Sequence, residues 1–106
     1  GVFNNGEGGT KEIVSAIKNN RAILLKNHGI LVFGEYIEEA IVGAITLEKA
    51  AKIQIISMAA GNLQKIPDDS IRQAKKFLDQ QEVFKWKFNY FARRAMRANQ
   101  NIKNML

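Results

Sequence analysis

The chain has 106 residues, 46% of them hydrophobic and 25% charged, which is typical of a globular domain, or of part of one, and excludes a disordered segment. It contains no cysteine, so disulfides and thiolate metal sites are excluded, and this composition fits a reducing cytoplasm. The formal net charge of +6 resides wholly in residues 83–106, which carry six Lys or Arg residues and no acid. We expect neither a signal peptide nor a membrane span, because no apolar run approaches the roughly 20 residues that a bilayer requires.

The N-terminal segment predicts a loop followed by a short helix. Residues 1–10 are rich in Gly and Asn, and the glycine cluster at residues 6–9 lacks the strand-to-helix context of a phosphate-binding loop. Thr10 can cap a helix over residues 11–19, whose aliphatic residues share one face.

A strand, a tight turn and a second strand are predicted next. Residues 22–25 and 30–33 are aliphatic runs of strand length, and neither alternates with polar residues, so we expect a sheet covered on both faces. Between them lies Lys26-Asn27-His28-Gly29, which is a turn sequence because Asn and Gly both tolerate positive φ. His28, the only histidine of the chain, is therefore predicted to lie on a turn.

Three helices are predicted in the remainder of the chain. The first covers residues 36–60 and stops at Gly61, the second starts at Pro67 and runs to about residue 80, and the third starts near residue 82. Residues 98–106 are expected to fray. The residues that share one face are Ile37, Ile41, Ala44, Glu48, Ala51, Ile55 and Met58 in the first helix, Ile71, Ala74, Phe77 and Leu78 in the second, and Phe84, Phe88, Phe91 and Ala95 in the third.

These elements do not complete a covered sheet by themselves. Two strands leave both edges and much of both faces without partners. A helix of 25 residues is about 37 Å long, which indicates that it spans a body larger than this chain. The chain is either mostly α with one hairpin or the second half of an α/β domain, and we favour the α/β interpretation.

One part of the sequence carries a family resemblance. Its motif is an apolar strand, Asn27-His28-Gly29, and an apolar strand that ends in Gly34 before the long helix. Further matching residues are Glu39-Ala40, Leu47-Glu48, Ala51-Lys52-Ile53-Gln54, Ile66-Pro67, Trp86 and Arg93-Arg94. On these residues the chain resembles the C-terminal half of the class II aldolase/adducin family, in its adducin-like branch, most strongly over about residues 20–80.

The resemblance implies that residues 1–106 form the C-terminal portion of one three-layer α/β/α domain whose N-terminal half is absent from the chain. Members of the family bind a divalent metal, usually zinc, through two histidines of a His-x-His motif and one of the Asn-His-Gly turn. An upstream glutamate serves as acid/base. They assemble as homo-oligomers, often tetramers, and cleave, epimerise or dehydrate small sugar phosphates through a metal-stabilised enediolate. His28 is the residue that matches the third metal ligand.

The sequence lacks the other parts of such a site. Because it has no second histidine, it has no His-x-His motif, and the upstream glutamate would lie before residue 1. A catalytic zinc needs three protein ligands, so one imidazole cannot hold it tightly. We therefore expect Zn²⁺, or another divalent metal, only with ligands from the N-terminal half, and no catalysis by this chain alone. Glu48 is either a hydrogen-bonding partner of that site or, as we favour, an ion-paired or exposed residue.

The basic third helix permits a nucleic-acid interpretation, in which its cations contact phosphates and Trp86 or Tyr90 stacks on a base. A solvated helix with an apolar core face explains the same residues, as does a cationic end that faces an anionic substrate or an acidic missing half. We favour these explanations over nucleic acid.

Three functions remain open. The chain is part of a lyase or epimerase of the class II aldolase type, a non-catalytic interaction module like the head domain of adducin, or a decayed gene fragment. The coding sequence immediately upstream discriminates between them. A His-x-His motif with a glutamate favours the enzyme, a continuous segment without these ligands favours the module, and a segment interrupted by stops favours decay.

Overall fold

The computed structural model describes residues 7–105, and the chain divides into two compact units, Gly1–Ala51 and Lys52–Leu106. The elements, in chain order, are α1 Glu7–Ile17, β1 Ala22–Leu25, β2 Gly29–Val32, α2 Ile37–Ala60, α3 Asp68–Leu78, α4 Gln81–Ala98 and α5 Gln100–Met105. The described part of the chain is therefore helix-rich with one small antiparallel sheet, a composition compatible with a fragment of an α/β domain.

The two strands pair as the predicted hairpin. Ala22 lies opposite Val32 and Leu25 lies opposite Gly29, so the second strand begins one residue earlier than expected. The expectation of two covered faces is wrong for the described residues. Ile23 is 2% exposed, whereas Leu24, whose side chain points to the opposite face, is 57% exposed. In the part of the chain that the structure describes, the face that carries Leu24 is covered only near the open end of the hairpin, where Val32 is half-buried and lies close to Gly43 of α2.

Helix α2 approaches the hairpin at Gly43, next to the buried Val42. Val42 is 1% exposed, and the backbone at Gly43 approaches β2 so closely that a Cβ atom there would lie 3.2 Å from Cγ1 of Val32. Helix α1 contacts β1 in the same unit. The core of the first unit is thus built on Ile23 and Val42.

Helix α1 begins earlier than predicted. It runs from Glu7 to Ile17, so Thr10 lies inside the helix rather than at its cap, and residues 7–10 are not a loop. The predicted loop over residues 1–6 falls outside the described residues.

The predicted extent of α2 is confirmed, but its predicted buried face is not. The helix ends before Gly61, whose φ of +147° is a conformation that L side chains rarely adopt. Much of the predicted face is exposed: Ile37 is 64% exposed, Ile55 is 70% exposed, and Glu48 is exposed as well. The buried residues are instead Glu39 and Val42, because the hairpin packs on the face that contains them.

In the second unit, α3 contacts α4 and α4 contacts α5. The predicted face of α4 is confirmed for its three Phe residues, since Phe84 is buried and Phe88 and Phe91 are half-buried, but not for Ala95, which is exposed. Trp86 and Tyr90 are more than half exposed. The predicted burial on α3 is wrong for the described structure, in which no residue of that helix is buried. The reason is that α3 has few neighbours besides α4 to cover its apolar residues.

The ends of these helices differ slightly from the predictions. Pro67 is the residue before α3 rather than its first helical residue, and the segment expected to fray contains the short helix α5. Within residues 7–105, no helix combines the length and the apolar composition that a membrane crossing requires.

Candidate functional site

The turn that carries His28 is fixed by its own backbone. The amide of His28 donates to the carbonyl oxygen of Leu25 at 3.2 Å, and Asn27 adopts a φ of 61°. Asn is among the few non-glycine residues that enter this left-handed region at low cost. The predicted Asn-His-Gly turn is therefore confirmed, and it places His28 at the tip of the hairpin.

Gly29 is required here by its backbone conformation. Its φ is +132°, which strains any L side chain, whereas a Cβ atom at this position would have no neighbour within 4 Å among the described residues. The backbone conformation at the start of β2 therefore accounts for the glycine at position 29, and no close approach to another group is involved.

The ring of His28 is oriented by the carbonyl of Lys26. The side chain is exposed, and its Nδ1 lies 3.1 Å from that oxygen. A carbonyl oxygen only accepts, so this hydrogen bond requires a proton on Nδ1, and it leaves Nε2 as the ring nitrogen that can bind a metal. A hydrogen bond from one ring nitrogen to a backbone carbonyl is the usual arrangement of a metal-binding histidine, because it fixes the tautomer and the ring direction.

His28 fits the implied metal as one ligand, and the described residues do not supply a complete set. Among residues 7–105, no group of three or more His, Asp or Glu side chains is arranged to hold an ion. Glu48 is exposed on α2, consistent with the interpretation that we favoured over a partner of the metal site.

A second polar arrangement, which sequence reasoning missed, lies at the opposite end of the hairpin. Glu39, 9% exposed, accepts a hydrogen bond from the amide of Glu35 at 3.2 Å, and Arg21 lies 3.4 Å from its other oxygen. Arg21 also accepts, through its carbonyl oxygen, a hydrogen bond from the amide of Phe33. The pair connects the start of β1 to the first turn of α2. Four strand residues, about 13 Å, separate the Arg21–Glu39 pair from the turn of His28. The pair therefore stabilises the first unit and does not orient His28.

Tyr36 lies beside this arrangement. Burial raises the pKa of its phenol above the ordinary value, and the neighbouring carboxylate of Glu39 raises it further, while Arg21 opposes the change. The phenol is therefore neutral at physiological pH and holds no charge next to Glu39.

A cationic cleft lies on the second unit. Arg93, Met96 and Arg97 of α4 and Gln100 of α5 line a volume of about 210 Å³. The sequence marked the two arginines as part of the basic helix, but the contribution of Gln100 depends on the break between the two helices.

Residues 2–55, half of the chain, match the family model described as "Class II Aldolase and Adducin N-terminal domain". The matched range contains α1, the hairpin with its Asn-His-Gly turn and most of α2. The chain therefore belongs to the class II aldolase and adducin family.

Two curated proteins are similar to the chain over 62 residues. One is "Decarboxylase NovR" of Streptomyces niveus, 32% identical over 58% of this chain and 23% of its own length. The other is "4-hydroxy-3-prenylphenylpyruvate oxygenase/4-hydroxy-3-prenylbenzoate synthase" of Streptomyces roseochromogenus subsp. oscitans, also 32% identical, over 58% of this chain and 22% of its own length. The chain thus matches less than a quarter of the length of either relative.

Proposed function

We propose that this chain supplies His28 as one metal ligand to a lyase or epimerase of the class II aldolase type, and that it is inactive alone. The observation that carries the proposal is the orientation of His28 on the Asn-His-Gly turn, with Nδ1 against the carbonyl oxygen of Lys26 at 3.1 Å. This turn lies within the segment that matches the family.

The metal proposed is zinc or another divalent ion. When bound, it would act as a Lewis acid that polarises a substrate carbonyl and stabilises the negative charge that develops next to it. The task of this chain is to present Nε2 of His28 in a fixed direction, which the two hydrogen bonds of the turn accomplish.

The remaining ligands and the rest of the sheet are proposed to come from an N-terminal half outside this chain, which completes a three-layer α/β/α domain. The exposed face of the hairpin supports this proposal, because Leu24 and Ile30 are 57% and 42% exposed. A two-stranded sheet is marginal in water, and adjoining strands would pair its edges. The assembled domain is proposed to be a cytoplasmic homo-oligomer that acts on a small phosphorylated sugar.

A second candidate reaction comes from the similar proteins. Their printed names describe a decarboxylase and an enzyme that acts on a phenylpyruvate. The second candidate is therefore decarboxylation or oxygenation of an aromatic 2-oxo acid at the same metal, since a metal that polarises a carbonyl serves a 2-oxo acid as well as a sugar.

The test combines the chain 1:1 with the polypeptide encoded immediately upstream, in the presence of zinc, and offers both substrate classes. We expect aldol cleavage or epimerisation of a small sugar phosphate, and a decrease of about 100-fold or more in the His28→Ala variant. Lys26→Ala is the matched control, since it alters the same turn but keeps the carbonyl oxygen that accepts from Nδ1.

Each other outcome contradicts a stated part of the proposal. Release of CO₂ from a 2-oxo acid without sugar cleavage would select the second candidate. A pair that binds zinc but transforms neither substrate class would indicate a non-catalytic interaction module. A pair that neither folds nor binds zinc would indicate a decayed fragment.

A further inference from the structure

The cationic cleft at the junction of α4 and α5 is formed by an interruption between two helices. Asn99 has an extended backbone, with φ −137° and ψ 98°, and its amide still donates to the carbonyl oxygen of Ala95 at 3.0 Å. The Oδ1 atom of Asn99 then accepts from the amide of Asn101 at 3.1 Å. This local turn, and not the periodicity of α4, brings Gln100 to the cleft that Arg93 and Arg97 line.

The two guanidinium groups belong to one face of one helix. Arg93 and Arg97 are four residues apart on α4, a spacing that makes their side chains neighbours. Two cations at this spacing repel each other, and the repulsion is relieved by an anion between them. Within residues 7–105, neither guanidinium forms an ion pair with a carboxylate, and the sequence has no acid after Glu82.

The size and the donor set of the cleft restrict the ligand. The cleft is open to solvent on one side, and its volume of about 210 Å³ leaves room for a tetrahedral oxyanion whose remaining groups extend into solvent. Arginine matches phosphate through paired N–H donors, and the amide of Gln100 adds a neutral donor beside them. Met96, half-buried, provides an apolar wall.

We propose that this cleft binds the phosphate group of a small phosphorylated molecule through Arg93, Arg97 and Gln100. The site lies within the second unit and shares no residue with the turn of His28, so the proposal does not rest on the proposed function.

The test is a titration of the full chain with inorganic phosphate, followed by NMR of the arginine Nε–Hε groups. We expect the signals of Arg93 and Arg97 to shift with one common saturation curve. Arg93→Gln and Arg97→Gln should each raise the dissociation constant about tenfold, because each removes a charge-assisted pair of hydrogen bonds. Arg97→Lys should give an intermediate loss, because the charge remains while the two-pronged geometry is lost.

Arg94→Gln is the matched control. It removes the same charge from the same helix, but Arg94 does not line the cleft, so the dissociation constant should change less than about twofold through screened long-range attraction. An equal loss in Arg94→Gln would overturn the proposal in favour of a diffuse attraction to the basic helix. A short single-stranded oligonucleotide that shifts these signals, when inorganic phosphate and glycerol phosphate do not, would overturn it in favour of a nucleic-acid surface.

Discussion

A Gly34→Ala variant is expected to unfold at lower urea concentration than the parent chain, with its free energy of unfolding reduced by about 1–3 kcal/mol. A Cβ atom at this position would lie 2.8 Å from the backbone nitrogen of Ala40 and 2.9 Å from Cβ of Glu39. Both distances are shorter than real Cβ contacts, and the nearest atom belongs to the backbone, so the first turn of α2 would have to move away from Gly34.

Gly43→Ala is the matched control for this prediction. There the new Cβ atom would meet Cγ1 of Val32 at 3.2 Å, a contact with a side chain rather than backbone that a shift of a few tenths of an ångström relieves. The gain in helix propensity, about 1 kcal/mol, offsets the strain, so the free energy of unfolding should stay nearly unchanged. If Gly34→Ala were as stable as Gly43→Ala in urea titrations followed by circular dichroism, the close approach of Gly34 to the first turn of α2 would be contradicted.

Glu39→Ala is expected to reduce the free energy of unfolding by about 2 kcal/mol, mainly through the loss of the hydrogen bond from the amide of Glu35 to a buried carboxylate. The ion pair with Arg21 contributes less, because the side chain of Arg21 is 50% exposed and water screens the attraction. Urea titration of the variant, again followed by circular dichroism, measures the change.

Two further variants separate the contributions at Glu39. Glu39→Gln keeps an acceptor for the amide of Glu35 and should recover about half of the loss. Glu38→Ala removes a carboxylate from the same helical turn, and so from the same end of the helix dipole, and should cost less than about 1 kcal/mol. Equal losses in Glu38→Ala and Glu39→Ala would show that only the helix dipole is involved.

Local sequence patterns predicted the positions of the helices, strands and turns more accurately than they predicted which residues are buried. The Asn27 turn and the Gly61 end of α2 depend on backbone preferences of single residues, and both are present in the structure. The buried face of α2 was predicted wrongly, because burial depends on which face the hairpin covers. The pair of Arg21 and Glu39 joins residues far apart in sequence, and no local pattern distinguishes such a pair from exposed charges.

The same division holds for the candidate site. The sequence indicated His28 and its turn, because turn chemistry and the family motif are both local. The hydrogen bond between Nδ1 of His28 and the carbonyl oxygen of Lys26 required coordinates. The contribution of Gln100 to the basic cleft likewise required them, since it follows from the backbone of Asn99 rather than from helical spacing.

Zinc content tests most directly whether His28 is a metal ligand. The chain is combined with the upstream polypeptide, freed of loosely bound metal by gel filtration, and analysed by mass spectrometry for zinc per pair. We predict about one zinc per pair for the parent and for Lys26→Ala, and almost none for His28→Ala, because a catalytic zinc needs its third protein ligand. A His28→Ala pair that retains the zinc of the parent would contradict the assignment.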